Sequence, residues 1–195
     1  GRGEDPPRSP PLPIDPDDPL SMRIAALTAA DAAPYRELML EAYAEAADAF
    51  TSTAEERAGE PLSWWVGRIA SPAGLSQSFG AFQDAQLVGT VALEYAAKSK
   101  TRHSALVLGM YVRPAARRLG AGTGLLQAAI GAARARPGVR VLRLTVTQGN
   151  EAAIRLYESV GFSAWGVEPL AILTPSGYKA KVHMALPLDS AATPA

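Results

Sequence analysis

Arg117-Arg118-Leu119-Gly120-Ala121-Gly122-Thr123-Gly124 stands between an apolar run ending at Val112 and a second run whose Leu125, Leu126, Ala129, Ile130 and Ala133 share one helix face. The pattern is that of a strand, a turn and a helix beginning near Leu125. A helix start leaves backbone N–H groups without partners, and the aligned peptide dipoles add partial positive charge there. Alternate glycines remove side chains that would keep an anion from those donors. Arg117 and Arg118 add mobile positive charge beside them. The chemistry suits a diphosphate, although a tight turn with a solvated arginine pair has the same composition.

Two common phosphate loops fail on inspection. A dinucleotide fingerprint needs a third glycine where Leu125 stands. A nucleoside-triphosphate loop needs Gly-Lys-Ser or Gly-Lys-Thr, and the chain contains neither.

Upstream, Ala105–Val112 is apolar throughout, as a strand buried on both faces would be, and Pro114 ends it. Phe79–Phe82 and Gln86–Tyr95 read as strands joined at Asp84 and Ala85. Leu62–Ile69 reads as a helix anchored by Trp64, Trp65 and Ile69. Asp31 is placed to cap a helix through Tyr35, Leu38, Met39, Tyr43 and Ala46, and Met22–Leu27 is a short strand. Downstream, Val139–Val146 is a strand, Asn150–Val160 a helix closed by Gly161, and Phe162–Val167 another strand. In Tyr178–Leu188 the residues Tyr178, Ala180, Val182, Met184, Leu186 and Leu188 alternate onto one face. About seven strands and four helices in mixed order predict an α/β sandwich around one sheet.

The ends differ from this body. Among residues 1–20, prolines at 6, 7, 10, 11, 13, 16 and 19 remove backbone donors and favour extended conformations, which predicts a Pro-rich arm. Residues 21–190 then form one domain, with 191–195 a short tail. A chain of 195 residues suits a single core. Its net charge of +0 gives no global attraction to nucleic acid or to an anionic membrane, so neither is expected as a partner. The absence of cysteine removes disulfides, thiolate metal sites and a cysteine nucleophile, and fits a reducing compartment. No apolar run reaches the roughly 18 residues that span a bilayer, and the N-terminus lacks the apolar centre of a signal peptide. A cytoplasmic protein is expected.

Arg117, Gly120 and Gly122 resemble the acetyl-CoA loop of the GNAT-type N-acetyltransferases: Gln or Arg, two residues, Gly, one residue, Gly or Ala. Asn150-Glu151-Ala152-Ala153-Ile154-Arg155-Leu156-Tyr157-Glu158-Ser159-Val160-Gly161-Phe162 is similar to the family's Asn-x-x-Ala-x-x-x-Tyr-x-x-x-Gly-Phe element. Leu108-Gly109-Met110-Tyr111-Val112-Arg113-Pro114 looks like its fourth strand. The three segments stand in the family's order and spacing over about a third of the chain. The resemblance implies a GNAT fold, a mixed, mostly antiparallel seven-stranded sheet flanked by about four helices. It also implies acetyl transfer from acetyl-CoA to a primary amine by direct attack, with no metal.

The same resemblance implies site residues. Backbone groups around Met110, Tyr111 and Val112 would meet the pantetheine arm in a gap between diverging strands. Arg117, Arg118, Leu119, Gly120, Ala121, Gly122, Thr123 and Gly124 would take the pyrophosphate. Asn150 is a natural helix cap that can also touch the cofactor, and Ala153 is small enough to let it lie close. Tyr157 would be catalytic, its hydroxyl protonating the departing thiolate, or else an ordinary core aromatic.

Ser104–Val112 holds no carboxylate to serve as base. Glu94, His103 and, more weakly, His183 are the candidates, with a water chain as the alternative. The acceptor stays open among a small polyamine, an amino acid, an antibiotic and a protein amino terminus, and no residue pattern fixes the oligomeric state. A non-catalytic acyl-CoA-binding module of the same fold is the competing expectation. A dinucleotide-dependent oxidoreductase is disfavoured by Leu125.

Overall fold

The computed structural model describes residues 22–188. The Pro-rich arm and the C-terminal tail lie outside them. Among the described residues seven strands form one sheet: β1 (Arg23–Ala26), β2 (Ser76–Gln83), β3 (Gln86–Tyr95), β4 (Ser104–Val112), β5 (Val141–Thr147), β6 (Ser163–Thr174) and β7 (Gly177–Pro187). Their spatial order is β1-β2-β3-β4-β5-β7-β6. Every neighbouring pair is antiparallel except β4 and β5, which run parallel. This is the mixed sheet the sequence predicts.

Five α-helices accompany it, one more than expected: α1 (Ala32–Glu45), α2 (Ala54–Ala58), α3 (Leu62–Ile69), α4 (Ala121–Ala135) and α5 (Glu151–Ser159). The extra helix is the short α2, too brief to show periodicity. Its start is set by a capping box in which the Thr53 side chain accepts from Glu56 N–H and the Glu56 carboxylate accepts from Thr53 N–H. No helix among the described residues is long and apolar enough to cross a membrane.

Period-2 alternation divides the apolar residues between two cores. Along β4, Tyr111 joins α1 and α3 in one cluster with Leu38, Met39 and Trp65, while its neighbours Met110 and Val112 pack on the other side with α4 and α5. Trp65, Leu38, Leu125 and Leu142 are all fully buried. Each such side chain contributes roughly 1.5–3 kcal/mol of transfer free energy, so the sheet is clamped from both faces.

Three sequence expectations change. β4 is not buried on both faces: Leu106 is exposed and Leu108–Met110 are half-buried, because the strand borders an opening. β6 runs to Thr174 rather than Val167, and Trp165, Val167, Leu170 and Leu173 on it are exposed. The alternating face of β7 is buried only at Met184, Leu186 and Leu188, while Tyr178 is exposed. The apolar pattern there records a strand that outruns its core.

Candidate active site

β4 and β5 are paired only through Ser104↔Val141, Ala105↔Leu142 and Leu106↔Arg143. Beyond Leu106 they separate. The cause is local to β4: between the pairs Ala92↔Leu108 and Thr90↔Tyr111, β4 carries one residue more than β3. Gly109 sits in this bulge at φ +63, a left-handed conformation that glycine adopts without penalty. The bulge bends the strand away from β5 and leaves backbone groups of Val107–Met110 without a ladder partner on that side.

A cavity of about 320 Å³ occupies the gap. Leu106–Met110 line one wall and Thr145–Thr147 of β5 another. Asn150, Ala153, Leu156 and Tyr157 of α5 and its cap also line it, as does the segment Ala49–Ser52 after α1. That segment is anchored across the gap, where Thr147 Oγ1 donates to the Asp48 carbonyl at 2.6 Å and Lys179 Nζ reaches Asp48 Oδ2 at 2.7 Å.

Of the residues expected at the site, Met110, Asn150, Ala153 and Tyr157 come together in this lining. Asn150 is the cap of α5, its Oδ1 accepting from Ala153 N–H at 3.3 Å. Tyr157 is buried, with its ring edge-on to Phe162 at 6.0 Å, and its hydroxyl bonds to no other described residue. Burial pushes that hydroxyl up to about 12, so it is protonated at neutral pH.

Tyr111 and Val112 do not line the cavity. The Tyr111 side chain turns to the opposite core, where burial and then the neighbouring Glu45 and Glu41 carboxylates raise its pKa.

The segment Arg117–Gly124 is a helix start that comes earlier than predicted. α4 begins at Ala121, so Ala121, Gly122, Thr123 and Gly124 are its first turn, and Gly124 N–H already bonds to the Gly120 carbonyl at 2.9 Å. Glycine's weak helix propensity hid this from the sequence. The N–H groups of Ala121, Gly122 and Thr123 carry the unpaired donors of the turn. Gly120 stands at φ +83 with open space around it. A Cβ on Gly122 would come 2.9 Å from Leu156 Cδ2 and 3.4 Å from Met110 Cε. Both neighbours line the cavity, so the helix start abuts it.

The two arginines differ. Arg117 is held by the Val112 carbonyl at 2.9 Å and by Glu45 at 3.0 Å, which makes it a strut rather than a mobile charge. Arg118 is exposed, has no ion pair to another described residue, and turns the chain at φ +66. Arg113, bound to Glu41 at 2.9 Å and to the Leu87 carbonyl at 3.0 Å, steadies the other end of the turn.

None of the three candidate bases lines the cavity. Glu94 and His103 are exposed elsewhere, and His183 Nε2 is engaged by Glu168 at 2.8 Å. Among the described residues, no Asp, Glu or His is part of the lining.

Sequence reasoning also missed Tyr43, Phe50, Ser52, Arg68 and Lys181, which do line it. The signal for Arg68 was present: it falls four residues after Trp64 on α3, hence on the same face.

Comparison with known proteins agrees with this geometry. The acetyltransferase (GNAT) family pattern matches residues 38–162, and the chain belongs to that family. Among solved structures, yncA of Salmonella typhimurium, determined with its cofactor acetyl-CoA, is 25% identical. The similarity covers 90% of this chain and 98% of that one, with a TM-score of 0.73. A GCN5-related N-acetyltransferase from Kribbella flavida is 24% identical over 86% of this chain and 98% of its own, at a TM-score of 0.73. The ribosomal-protein-S18-alanine N-acetyltransferase of Escherichia coli is 21% identical over 90% and 100%, at a TM-score of 0.66. No curated protein matches by sequence.

Proposed function

We propose that the protein transfers an acetyl group from acetyl-CoA to a primary amine. The observation that carries this is the bulge-driven separation of β4 from β5 beside the start of α4. The gap offers unpaired backbone groups to an amide-bearing arm, and the free N–H groups of the helix start face an anion. The fit supports acetyl-CoA. Met110, Asn150 and Ala153 would hold the arm, and Arg118 with the N–H groups of Ala121–Thr123 would hold the pyrophosphate.

Acetyl-CoA supplies an activated acetyl group: the amine nitrogen bonds to the carbonyl carbon, the carbon–sulfur bond breaks, and an amine proton ends on the sulfur. Holding both reactants in one cleft removes much of the entropic barrier. A backbone N–H near Met110 would stabilise negative charge on the carbonyl oxygen. Tyr157 plays a narrower part than an acid. A phenol held near 12 does not readily surrender its proton to a thiolate whose ordinary pKa is about 8.5. Its hydroxyl instead donates a hydrogen bond to the sulfur, and the amine itself provides the proton.

The test is calorimetric binding of acetyl-CoA against ATP and NAD, followed by thiol release with a panel of amines. Comparable binding of all three ligands would reduce the site to a generic anion cradle. That no Asp, Glu or His lines the cavity among the described residues favours a second reading, an acyl-CoA-binding module without turnover. Thiol release dependent on an added amine separates it from the enzyme.

A further inference from the structure

Four cationic side chains outside the cavity lining have carboxylate partners: Arg57 with Glu60, Arg113 with Glu41, Arg117 with Glu45 and Lys179 with Asp48. Arg68 has none among the described residues. It lines the cavity from α3, its Nε is buried without a hydrogen-bond partner, and its guanidinium lies 5.0 Å from the centre of the Trp64 ring. The other side of this arrangement is also cationic. Arg57 lies 4.8 Å from the same ring and donates through Nε and Nη2 to Ser52 Oγ at 3.3 Å, and Ser52 lines the cavity as well.

The positive charge is not local to α3. Lys181 of β7 lines the cavity and forms no ion pair with a described residue. With no Asp or Glu among the described residues of the lining, the charge those residues give the cleft is positive only. A partly buried guanidinium without an anion carries a desolvation cost that a bound carboxylate relieves, and its planar fork suits two carboxylate oxygens at once. The Trp64 ring limits the planes the fork can take. A polycation entering the same cleft would meet like charge and no carboxylate of the described residues.

We infer that the acceptor is a small primary amine bearing a carboxylate or an equivalent oxyanion, which seats on Arg68 while the amine points into the gap between β4 and β5. This rests on the acetyltransferase reading and narrows it. Lys181, which that carboxylate does not neutralise, disfavours the ammonium form of the bound amine and so favours the neutral, nucleophilic one.

The experiment has two stages on the full chain. Acetyl-CoA binding is measured first by calorimetry; its absence overturns the acetyltransferase reading and this inference together. Thiol release is then compared for α-amino acids, their carboxamides, the decarboxylated amines, a linear polyamine and a short peptide with a free amino terminus.

The amino acids should exceed their carboxamides in kcat/KM by roughly 10- to 100-fold, the range of a lost charge-assisted hydrogen bond. Arg68→Gln should close that gap, raising KM for the acid more than it changes kcat and leaving acetyl-CoA affinity intact, and Arg68→Lys should recover part of it. Carboxamides, polyamine or peptide used as well as the acids would overturn the inference while leaving the acetyltransferase standing. So would a loss of acetyl-CoA affinity in Arg68→Gln, which would assign the guanidinium to the cofactor. If no amine is turned over, calorimetry of the acetyl-CoA complex with the amino acids decides, and no binding there overturns it. If Arg68→Gln does not fold, the acid-to-amide ratio of the wild type decides.

Discussion

Lys179 Nζ lies 2.7 Å from Asp48 Oδ2, so a strand from the C-terminal end of the chain holds the loop that follows the first helix. Ser176 Oγ donates to the same oxygen at 2.9 Å. The hydrogen bonds from Lys179 and then Ser176 keep the Asp48 carboxyl below the usual carboxylate range. A lowered pKa means that the contact is fully present above the ordinary carboxylate value and is lost as pH falls through the lowered one. At neutral pH the loop is therefore held.

Asp48→Asn should leave the fold intact, because the Thr147 bond to the Asp48 carbonyl remains. It should speed hydrogen exchange of the amides in segment 46–52 and raise substrate KM by roughly threefold, as befits an exposed pair. Exchange of that segment in the wild type should match the mutant only in acid, below the usual carboxylate range. Equal exchange at neutral pH would mean the ion pair does not hold the loop.

Arg117 and Arg118 should respond in opposite ways. Arg118→Ala removes an exposed cation that has no ion pair among the described residues, beside the helix start, and should weaken acetyl-CoA binding by roughly tenfold without changing the melting temperature. Arg117→Ala breaks the bonds to Val112 and Glu45 and should lower the melting temperature with a smaller effect on affinity. Calorimetry and thermal unfolding on both variants check the split. The reverse pattern would make Arg117 the phosphate ligand.

How much of this the residues announced depends on where the physics is local. The strand at Gln86–Tyr95, the turn at Asp84 and Ala85 and the cap at Asn150 rest on a short run of β-favouring apolar residues, positive φ and a side chain bonding its own helix. Asp84 and Ala85 indeed stand at φ 48 and 63. The start of α4 was misplaced because two glycines in its first turn mimic a loop, while tertiary contacts with Leu156, Met110 and Ile24 are what require them to be small. Arg117 looked mobile because its partner Glu45 lies 72 residues away. This part of the cavity lining was illegible for the same reason: Tyr43, Phe50, Arg68 and Lys181 come from separate segments, and no spacing in the chain links them.

The glycines of α4 separate packing from flexibility. Gly131 has open space around a hypothetical Cβ, so Gly131→Ala should gain about 0.5–1 kcal/mol from helix propensity alone, with unchanged turnover. Gly122→Val puts a branched side chain where Leu156 and Met110 already sit. It should cost about 1–3 kcal/mol through overpacking and also weaken acetyl-CoA binding, since it displaces the ends of Leu156 and Met110 that line the cavity. Urea unfolding and calorimetry measure both effects. A stable Gly122→Val variant with normal affinity would detach α4 from the site.

Tyr157→Phe keeps the ring against Phe162 and removes only the hydroxyl. That hydroxyl has no partner among the described residues, so the change should cost little stability. If it donates a hydrogen bond to the departing sulfur, the loss falls on the transition state. The rate constant at saturation should then drop roughly 10- to 100-fold while acetyl-CoA affinity is retained.

The pH profile distinguishes a hydrogen-bond donor from an acid. With the hydroxyl held up to about 12, the rate constant of the wild type should stay level through the ordinary tyrosine range, and tyrosinate absorbance of Tyr157 should appear only near that value. The sign follows from burial, which disfavours the ionised form. Folding stability is unaffected below the unfolded value of about 10 and declines from there until the folded value is passed. An inflection in the wild-type rate near 10 that vanishes in Tyr157→Phe would restore Tyr157 as the acid, and an undiminished rate in the mutant would return it to the core.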